Sequence, residues 1–317
     1  MPGSTFSTFS EPDDFQGALR ENAGVELVVT GHGPFWARLS SISLYRMRLL
    51  ACEERVSRVA FMSISPRLVR VTLPAEPAAS LTWAGCGTRP DEIVTHSAGS
   101  RFYEQTNGPS HWRTLWLPST DLARAGRALH GAPPIIPPGM SRWRPNPESL
   151  ASLVGLHGNA IRAIASRASL SVDSEAVRGL EQQLIATLLE CLAGSAIEQD
   201  NAPRLAHADI MVRLEDLLRS APPGPLSTAG IAVQLGVSNT TLRMCCHDHL
   251  GVAPGAYLFL RRMQQARQAL READPCEQTV ARIARHYGFG GLGHFAAAYR
   301  GMFGELPSAT LRRSALP

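Results

Sequence analysis

The sequence predicts an α+β chain of several domains: a β domain first, a helical stretch after it, and an all-α domain with two helix–turn–helix patterns last. Three observations predict it. Short runs rich in β-branched and aromatic residues recur from Val25 to Leu117, with Pro, Gly, Asn and Asp between them. From Pro147 onward the apolar period becomes that of a helix. Near the C-terminus the order helix, tight turn, helix appears twice, around Gly236 and again around Gly288.

A length of 317 residues is enough for two domains. With 44% hydrophobic residues and a mean hydropathy of -0.06, the composition is that of an ordinary soluble protein. No apolar run reaches the length of a membrane span, and the first twenty residues lack the charged and apolar regions of a signal peptide. A cytoplasmic protein with no membrane partner is the expectation. All 31 basic residues are arginine, a bias best explained by genome base composition. The six cysteines show no paired-ligand spacing and no disulfide framework. Cys245 and His249 lie one helical turn apart, yet Cys245 and Cys246 fall where the helical period demands core residues. No metal and no other cofactor are expected.

Residues 1–22 are polar and read as a flexible lead-in. The β domain spans 23–145, with strands at Val25–Thr30, Phe35–Leu44, Arg58–Ile64, Leu68–Leu73, Leu81–Ala84, Ile93–His96 and Trp112–Leu117. So many short strands predict a closed or sandwiched sheet. Trp36, Arg38, Tyr45, Trp83, Phe102 and Trp112 are the candidate lining of a small-molecule pocket, with core packing as the alternative for each aromatic. His32, His96 and His111 are scattered with no His-x-His pair, and Glu92 and Glu104 add no ligand rhythm, so a metal centre lacks its pattern. Six prolines between Pro133 and Pro147 predict an extended strap closing this domain.

A helical pair follows over 146–198, and it can pack on the β domain, on a second copy of the chain, or on both. Its first run carries Leu150, Leu153, Val154, Leu156 and Ile161, and its second Val177, Leu180, Leu184, Ile185, Leu188 and Leu192. Residues 199–205, with Pro203, read as a linker. The last domain, 206–317, opens with a supporting helix on which Ile210, Leu214 and Leu217 face inward.

In the first helix–turn–helix, Gly236 suits the left-handed turn residue, Val237 plugs the angle between helices, and Ser238 caps the second helix. Leu242, Cys245 and Cys246 take its inner face, which leaves Asn239, Thr240 and Arg243 exposed. In the second, Thr279 caps a helix bearing Val280, Ile283 and Ala284, and a further helix carries Phe295, Tyr299 and Phe303. From Pro222 to the end there are ten arginines and five acids, a surplus of +5 against a total of +4, so this domain is the positive part of the chain.

The run Leu235, Gly236, Val237, Ser238, Leu242, Leu250, Gly251, Val252, Pro254, Arg262, Ala266, Leu270, Ile283, Ala284, Gly288, Phe289, His294, Phe295, Tyr299, Phe303, Gly304 and Pro307 resembles the AraC/XylS transcriptional regulators. The resemblance covers nearly the last hundred residues. It implies a seven-helix domain laying two recognition helices into successive major grooves of double-stranded DNA, with Ser238, Asn239, Thr240, Arg243, Gly291, Gly293, His294 and Arg300 as contacts. It implies further a cupin-like sensor domain for a small-molecule effector over 23–145, a homodimer formed through Leu180, Leu184 and Leu188, a contact with RNA polymerase, and activation of transcription.

Arg243 is the best base reader, since a guanidinium makes two hydrogen bonds to a guanine edge, worth about 1–3 kcal/mol of discrimination. The second recognition helix departs from the family pattern: Gly290, Gly291 and Gly293 and then Ala297 stand where polar readers often occur. It is expected to anchor more than to read, through His294, Arg300 and backbone amides at its glycine-rich start. The alternatives from other classes are a cupin-type metalloenzyme with an accessory DNA-binding tail, and a constitutive DNA-binding scaffold.

Overall fold

In chain order the strands are β1 (Gly3–Phe9), β2 (Ala23–Val29), β3 (Ala37–Ser43), β4 (Arg48–Glu54), β5 (Arg58–Ile64), β6 (Leu68–Leu73), β7 (Thr82–Trp83), β8 (Cys86–Gly87), β9 (Ile93–His96), β10 (Arg101–Thr106), β11 (Ser110–Pro118), β12 (Met140–Arg144) and β13 (Ala196–Gln199). The helices are α1 (Pro12–Leu19), α2 (Ser119–His130), α3 (Pro147–Ala165), α4 (Ser174–Ala193), α5 (Ala202–Ser220), α6 (Thr228–Leu235), α7 (Asn239–Leu250), α8 (Pro254–Glu272), α9 (Val280–His286), α10 (Leu292–Phe303) and α11 (Pro307–Arg313). This computed structural model describes residues 3–75, 81–165, 174–193, 195–199 and 202–313.

The strands form two antiparallel sheets, one in the order β1-β3-β4-β11-β6-β9-β12-β13 and one in the order β2-β5-β10-β7-β8. Side chains alternate across each strand, so each sheet offers two faces. The facing sides enclose Val25, Leu27, Ala37, Leu39, Leu50, Ala60, Met62, Trp83, Val94, Trp112 and Trp116. The outer side of the larger sheet, through Leu49, Val71, Leu73, Ile93, Leu115 and Leu117, packs on α3 and α4. The outer side of the smaller sheet presents Val28, Val59, Phe61 and Tyr103, and these share one apolar core with Ile210, Leu214, Leu242, Cys245, Cys246, Leu250 and Tyr257 of the C-terminal helices. The second helix–turn–helix has its own core around Met263, Ile283, Phe295 and Tyr299.

Several sequence expectations are corrected. From residue 3 onward the expected lead-in is structured: β1 pairs with β3 from Gly3↔Ser43 to Phe9↔Ala37, and α1 buries Phe15 and Leu19 against the sandwich, while residues 1–2 lie outside the described residues. A polar strand pairing at an edge carries no apolar alternation, which is why it reads as loose. The linker is shorter than 199–205. Gln199 ends β13, which pairs with β12, and α5 begins at Ala202, while residues 200–201 lie outside the described residues. Leu184 and Leu188, expected at a dimer interface, are 0% exposed inside the core shared by α4 and the larger sheet, and Leu180 packs partly buried against it. Their apolar faces are already covered within one chain, so they offer no surface to a second copy.

Candidate nucleic-acid interface

The first helix–turn–helix is held by local devices that the sequence spells out. Ser227 accepts from the Gly230 amide at 3.0 Å to cap α6, and Gly236 closes that helix with a left-handed φ of 69°. Val237 is half-buried against the core, and Ser238 accepts from the Thr241 amide at 3.0 Å to cap α7. Along α7, Leu242, Cys245, Cys246, His249 and Leu250 turn inward. Asn239, Thr240 and Arg243 are exposed on the other face, as predicted, and the capping Ser238 is exposed too. Among the described residues Arg243 takes part in no hydrogen bond or ion pair, so its donors are available. The hydroxyl of Ser238 is committed to the cap. Met244, 50% exposed, and His247 extend this face and were missed by the sequence reading, although their spacing from Thr240 and Arg243 is helical.

Pro254 opens α8, a 19-residue rod that at about 1.5 Å per residue is about 28 Å long. Beyond it, Thr279 accepts from the Arg282 amide at 3.2 Å to cap α9. Gly288 adopts φ 77° where the backbone meets Pro225, and a Cβ there would lie 2.9 Å from the Pro225 nitrogen, so only glycine fits. In α10, Phe295 and Tyr299 are buried, and Tyr299 shares a 2.8 Å hydrogen bond with Thr310. Gly291, Gly293, His294, Ala297 and Arg300 are exposed together, and Gly291 caps the helix without a side-chain acceptor. Two polar candidates remain on this face against the richer face of α7.

The seam between the β sandwich and the first helix–turn–helix is a feature that the sequence hides. Glu215 on α5 is 0% exposed. It accepts from the Tyr103 hydroxyl on β10 at 2.6 Å, from both terminal nitrogens of Arg261 on α8 at 2.8 and 2.9 Å, and from Arg219 Nε at 3.0 Å. Burial pushes the Tyr103 hydroxyl well above its ordinary range, and Tyr257 and Glu215 push the same way, so it stays protonated and donates. Gln105 Nε2 donates to the Asp248 carbonyl of α7 at 3.3 Å, and Gln264 Oε1 accepts from the Val29 amide at 3.2 Å. Further along α8, Arg271 pairs with Asp13 and Asp14 at 3.2 and 3.3 Å, and Arg267 with Glu11. A glutamate on an amphipathic helix reads as solvated, and only the tertiary arrangement puts Glu215 under a strand.

The six expected pocket residues separate into two groups. Trp83 and Trp112 are 3% exposed, and Phe102 packs with them in the sandwich interior. Trp36, Arg38 and Tyr45 stand outside. Trp36 lies under the Arg55 guanidinium at 4.2 Å, Arg38 pairs with Glu53, and Tyr45 is 41% exposed beside Arg178. β-type alternation gives a strand two faces without saying which is enclosed.

Inside, a buried ionic chain runs across the sheets. Arg58 grips Glu54 at 2.9 and 3.0 Å and Glu104 at 2.9 Å, Arg70 reaches the other oxygen of Glu104 at 2.6 Å, and Trp112 Nε1 donates to Glu54. Burial alone would raise the Glu104 carboxyl, but Arg70 and Arg58 hold it below its ordinary value. His96 stacks on Phe102 at 3.8 Å with Arg70 and Arg142 close by, and such cationic surroundings do not suit a metal centre. Among the described residues no group of three or more His, Cys, Asp or Glu side chains stands together as a metal site, and no helix is long and apolar enough to cross a membrane.

Comparison with known proteins places this geometry. The profile of a family described as "Helix-turn-helix domain" (HTH_18) matches residues 231–313. A protein named "Probable thc operon regulatory protein" from Rhodococcus erythropolis is 34% identical over 152 residues, covering 45% of this chain and 46% of that one. The "XylDLEGF operon transcriptional activator" of Pseudomonas putida is 42% identical over 65 residues, 20% of each chain. These matches therefore span at most about half the length of those relatives. A solved regulator with an AraC-type DNA-binding domain from Chromobacterium violaceum is 28% identical and covers 37% of this chain and 99% of its own, at a TM-score of 0.32. ToxT of Vibrio cholerae is 12% identical, covering 91% of this chain and 96% of its own, at a TM-score of 0.31. The matched residues 231–313 hold most of α6 and all of α7 to α11, so this part of the chain is similar to the helix–turn–helix domains of such regulators.

Proposed function

We propose that the chain is a sequence-specific DNA-binding transcriptional regulator, a ligand-responsive activator that reads two successive major grooves. The observation that carries this reading is the outer face of α7, where Asn239, Thr240 and an Arg243 unpaired among the described residues project from a capped helix with Met244 beside them. Arg or Asn side chains there match base edges, and an apolar group matches a thymine methyl. The α8 rod, about 28 Å long by its 19 residues, is comparable to the ~34 Å of one DNA turn, which favours two helices on one DNA face. His294, Arg300 and the amides at the start of α10 supply phosphate contacts that position the protein.

In this reading the β sandwich is the sensor, and no catalysis is required of it. Activation is the role that the Pseudomonas relatives' names give to those proteins. A homodimer, a contact with RNA polymerase and a cytoplasmic address complete the proposal; the dimer surface lies elsewhere than Leu184 and Leu188. The test is footprinting on the DNA flanking the chain's own gene. Protection of two segments about one helical turn apart supports the reading, and uniform, sequence-independent binding refutes it.

A further inference from the structure

Between α3 and the outer side of the larger sheet, beyond the apolar stretch through Leu49 and Leu115, the facing side chains turn polar around a cavity of about 430 Å³. Strand register builds its floor. Arg38, Glu53 and His111 stand side by side across β3, β4 and β11, and two residues along on the same face Ser40, Ala51 and Arg113 form the next row. Phe6 on β1 pairs with Ser40 and carries that row to the sheet edge, where it is 51% exposed. The small side chains of Ser40 and Ala51 leave room, and long polar ones surround it.

The helix side is shaped to match. Gly158 is buried in the middle of α3, a place where glycine weakens a helix relative to alanine. A Cβ there would stand 3.4 Å from Arg162 Nη1 and 4.0 Å from Arg113 Nη1, so the bare backbone lets two guanidiniums, one from the helix and one from the sheet, approach the same point. Asn159 Oδ1 accepts from Arg162 Nη2 at 2.5 Å and orients that side chain. On the opposite wall Arg38 pairs with Glu53 and lies 5.9 Å from the centroid of the Phe6 ring.

Among the described residues lining the cavity are three guanidiniums and one carboxylate, a formal +2 before His111 is counted. Guanidiniums that reach one space from three elements suit the several oxygens of a phosphate, which each planar fork can bind by paired N–H groups. A phosphomonoester carries about −1.5 to −2 at neutral pH and so balances this lining, whereas a carboxylate or a phosphodiester brings a single charge. We propose that the cavity binds the head group of a small phosphomonoester, held by Arg38, Arg113 and Arg162 with His111 beside them, its organic part resting on Phe6. Bound there, the ester ties α3 to β3 and β11. The first helix–turn–helix packs on the outer side of the smaller sheet, so this site lies across the sandwich from it and is independent of the DNA contacts on α7.

The full chain, in phosphate-free buffer at about pH 8 so that monoesters carry their full charge, is titrated by calorimetry with glycerol 3-phosphate, ribose 5-phosphate and phenyl phosphate, each beside its methyl diester. At least one monoester should bind, about tenfold or more tighter than its diester. Arg38→Gln and Arg162→Gln should each weaken that binding about tenfold, and Glu53→Gln, which removes the competing carboxylate, should tighten it about threefold. Arg124→Gln, exposed on α2 and outside the lining, should leave it unchanged. Arg38 and Arg162 are exposed, and thermal melting checks that each variant folds. If one does not, the other and Glu53→Gln carry the comparison. Binding by none of the three monoesters, equal binding of monoester and diester, or unaltered binding in the folded arginine variants overturns the proposal. So does an equal loss in Arg124→Gln, which would reduce the effect to general charge, or weaker binding in Glu53→Gln.

Discussion

Tyr103 donates its hydroxyl to Glu215 across 2.6 Å, joining the middle of β10 to α5, the helix that precedes the first helix–turn–helix. Glu215 also takes Arg261 at 2.8 and 2.9 Å, so one buried carboxylate ties β10, α5 and α8 together. Removing one partner of a buried pair strands the other charge, whereas removing a neutral donor costs only its hydrogen bond.

Tyr103→Phe should therefore destabilise the chain by about 1–2 kcal/mol, and Glu215→Ala by about 3–5 kcal/mol. Urea unfolding measures both. The double variant should lose less than the sum of the two, because the groups share one network. Strict additivity would show that the seam is not a unit.

A pH effect follows from His249 on the inner face of α7. Burial holds its imidazole down to about 4 from an ordinary 6.5, while Asp248 pulls upward and His207 pushes further down. The folded chain keeps His249 neutral between these values, but the unfolded chain takes up a proton there. Stability from this site is thus fully present above about 6.5 and is lost as pH falls toward 4. His157, held at about 4 by burial and Arg113, adds to the same acid limb. Urea midpoints should drop between pH 7.5 and 5, and less steeply in His249→Leu. An equal drop in that variant would remove His249 from the account.

Arg300 is exposed on α10, where His294 is the other polar candidate and the remaining exposed positions include Gly291, Gly293 and Ala297. Arg300→Ala should weaken binding to all DNA sequences alike and reduce the salt dependence of affinity by about one phosphate contact. Affinity measured over a salt series checks it. Loss of preference for particular bases instead would make α10 a reader.

Much of this arrangement is legible in the residues, and what is not has physical causes. Gly236, Val237, Ser238 and Thr279 act within a few residues of themselves, so the turns and caps they specify appear where expected. The strands Arg58–Ile64, Leu68–Leu73 and Ile93–His96 carry their own apolar runs and are found at those bounds. β1 is polar, β4 alternates through two glutamates, and α1 spans only eight residues, so none of them announces itself. The interior of the sandwich was half legible: Trp83, Phe102 and Trp112 are enclosed and Trp36, Arg38 and Tyr45 are not, because enclosure depends on which sheet face finds a partner. The same limit hid Glu215. Leu184 and Leu188 form an apolar stripe that sequence cannot divide between the chain's own sheet and a second copy.

In the proposed function, base selectivity is concentrated on α7 at Arg243. Selection of bound sequences from a random DNA pool, run with the wild type and with Arg243→Ala, tests it most directly. The wild type should enrich a motif in two parts about one helical turn apart. Arg243→Ala should still fold and bind, since the side chain is exposed and unpaired among the described residues, but should lose base preference at one or two positions of one part, about 1–3 kcal/mol of discrimination. An enriched motif identical to that of the wild type would contradict the claim.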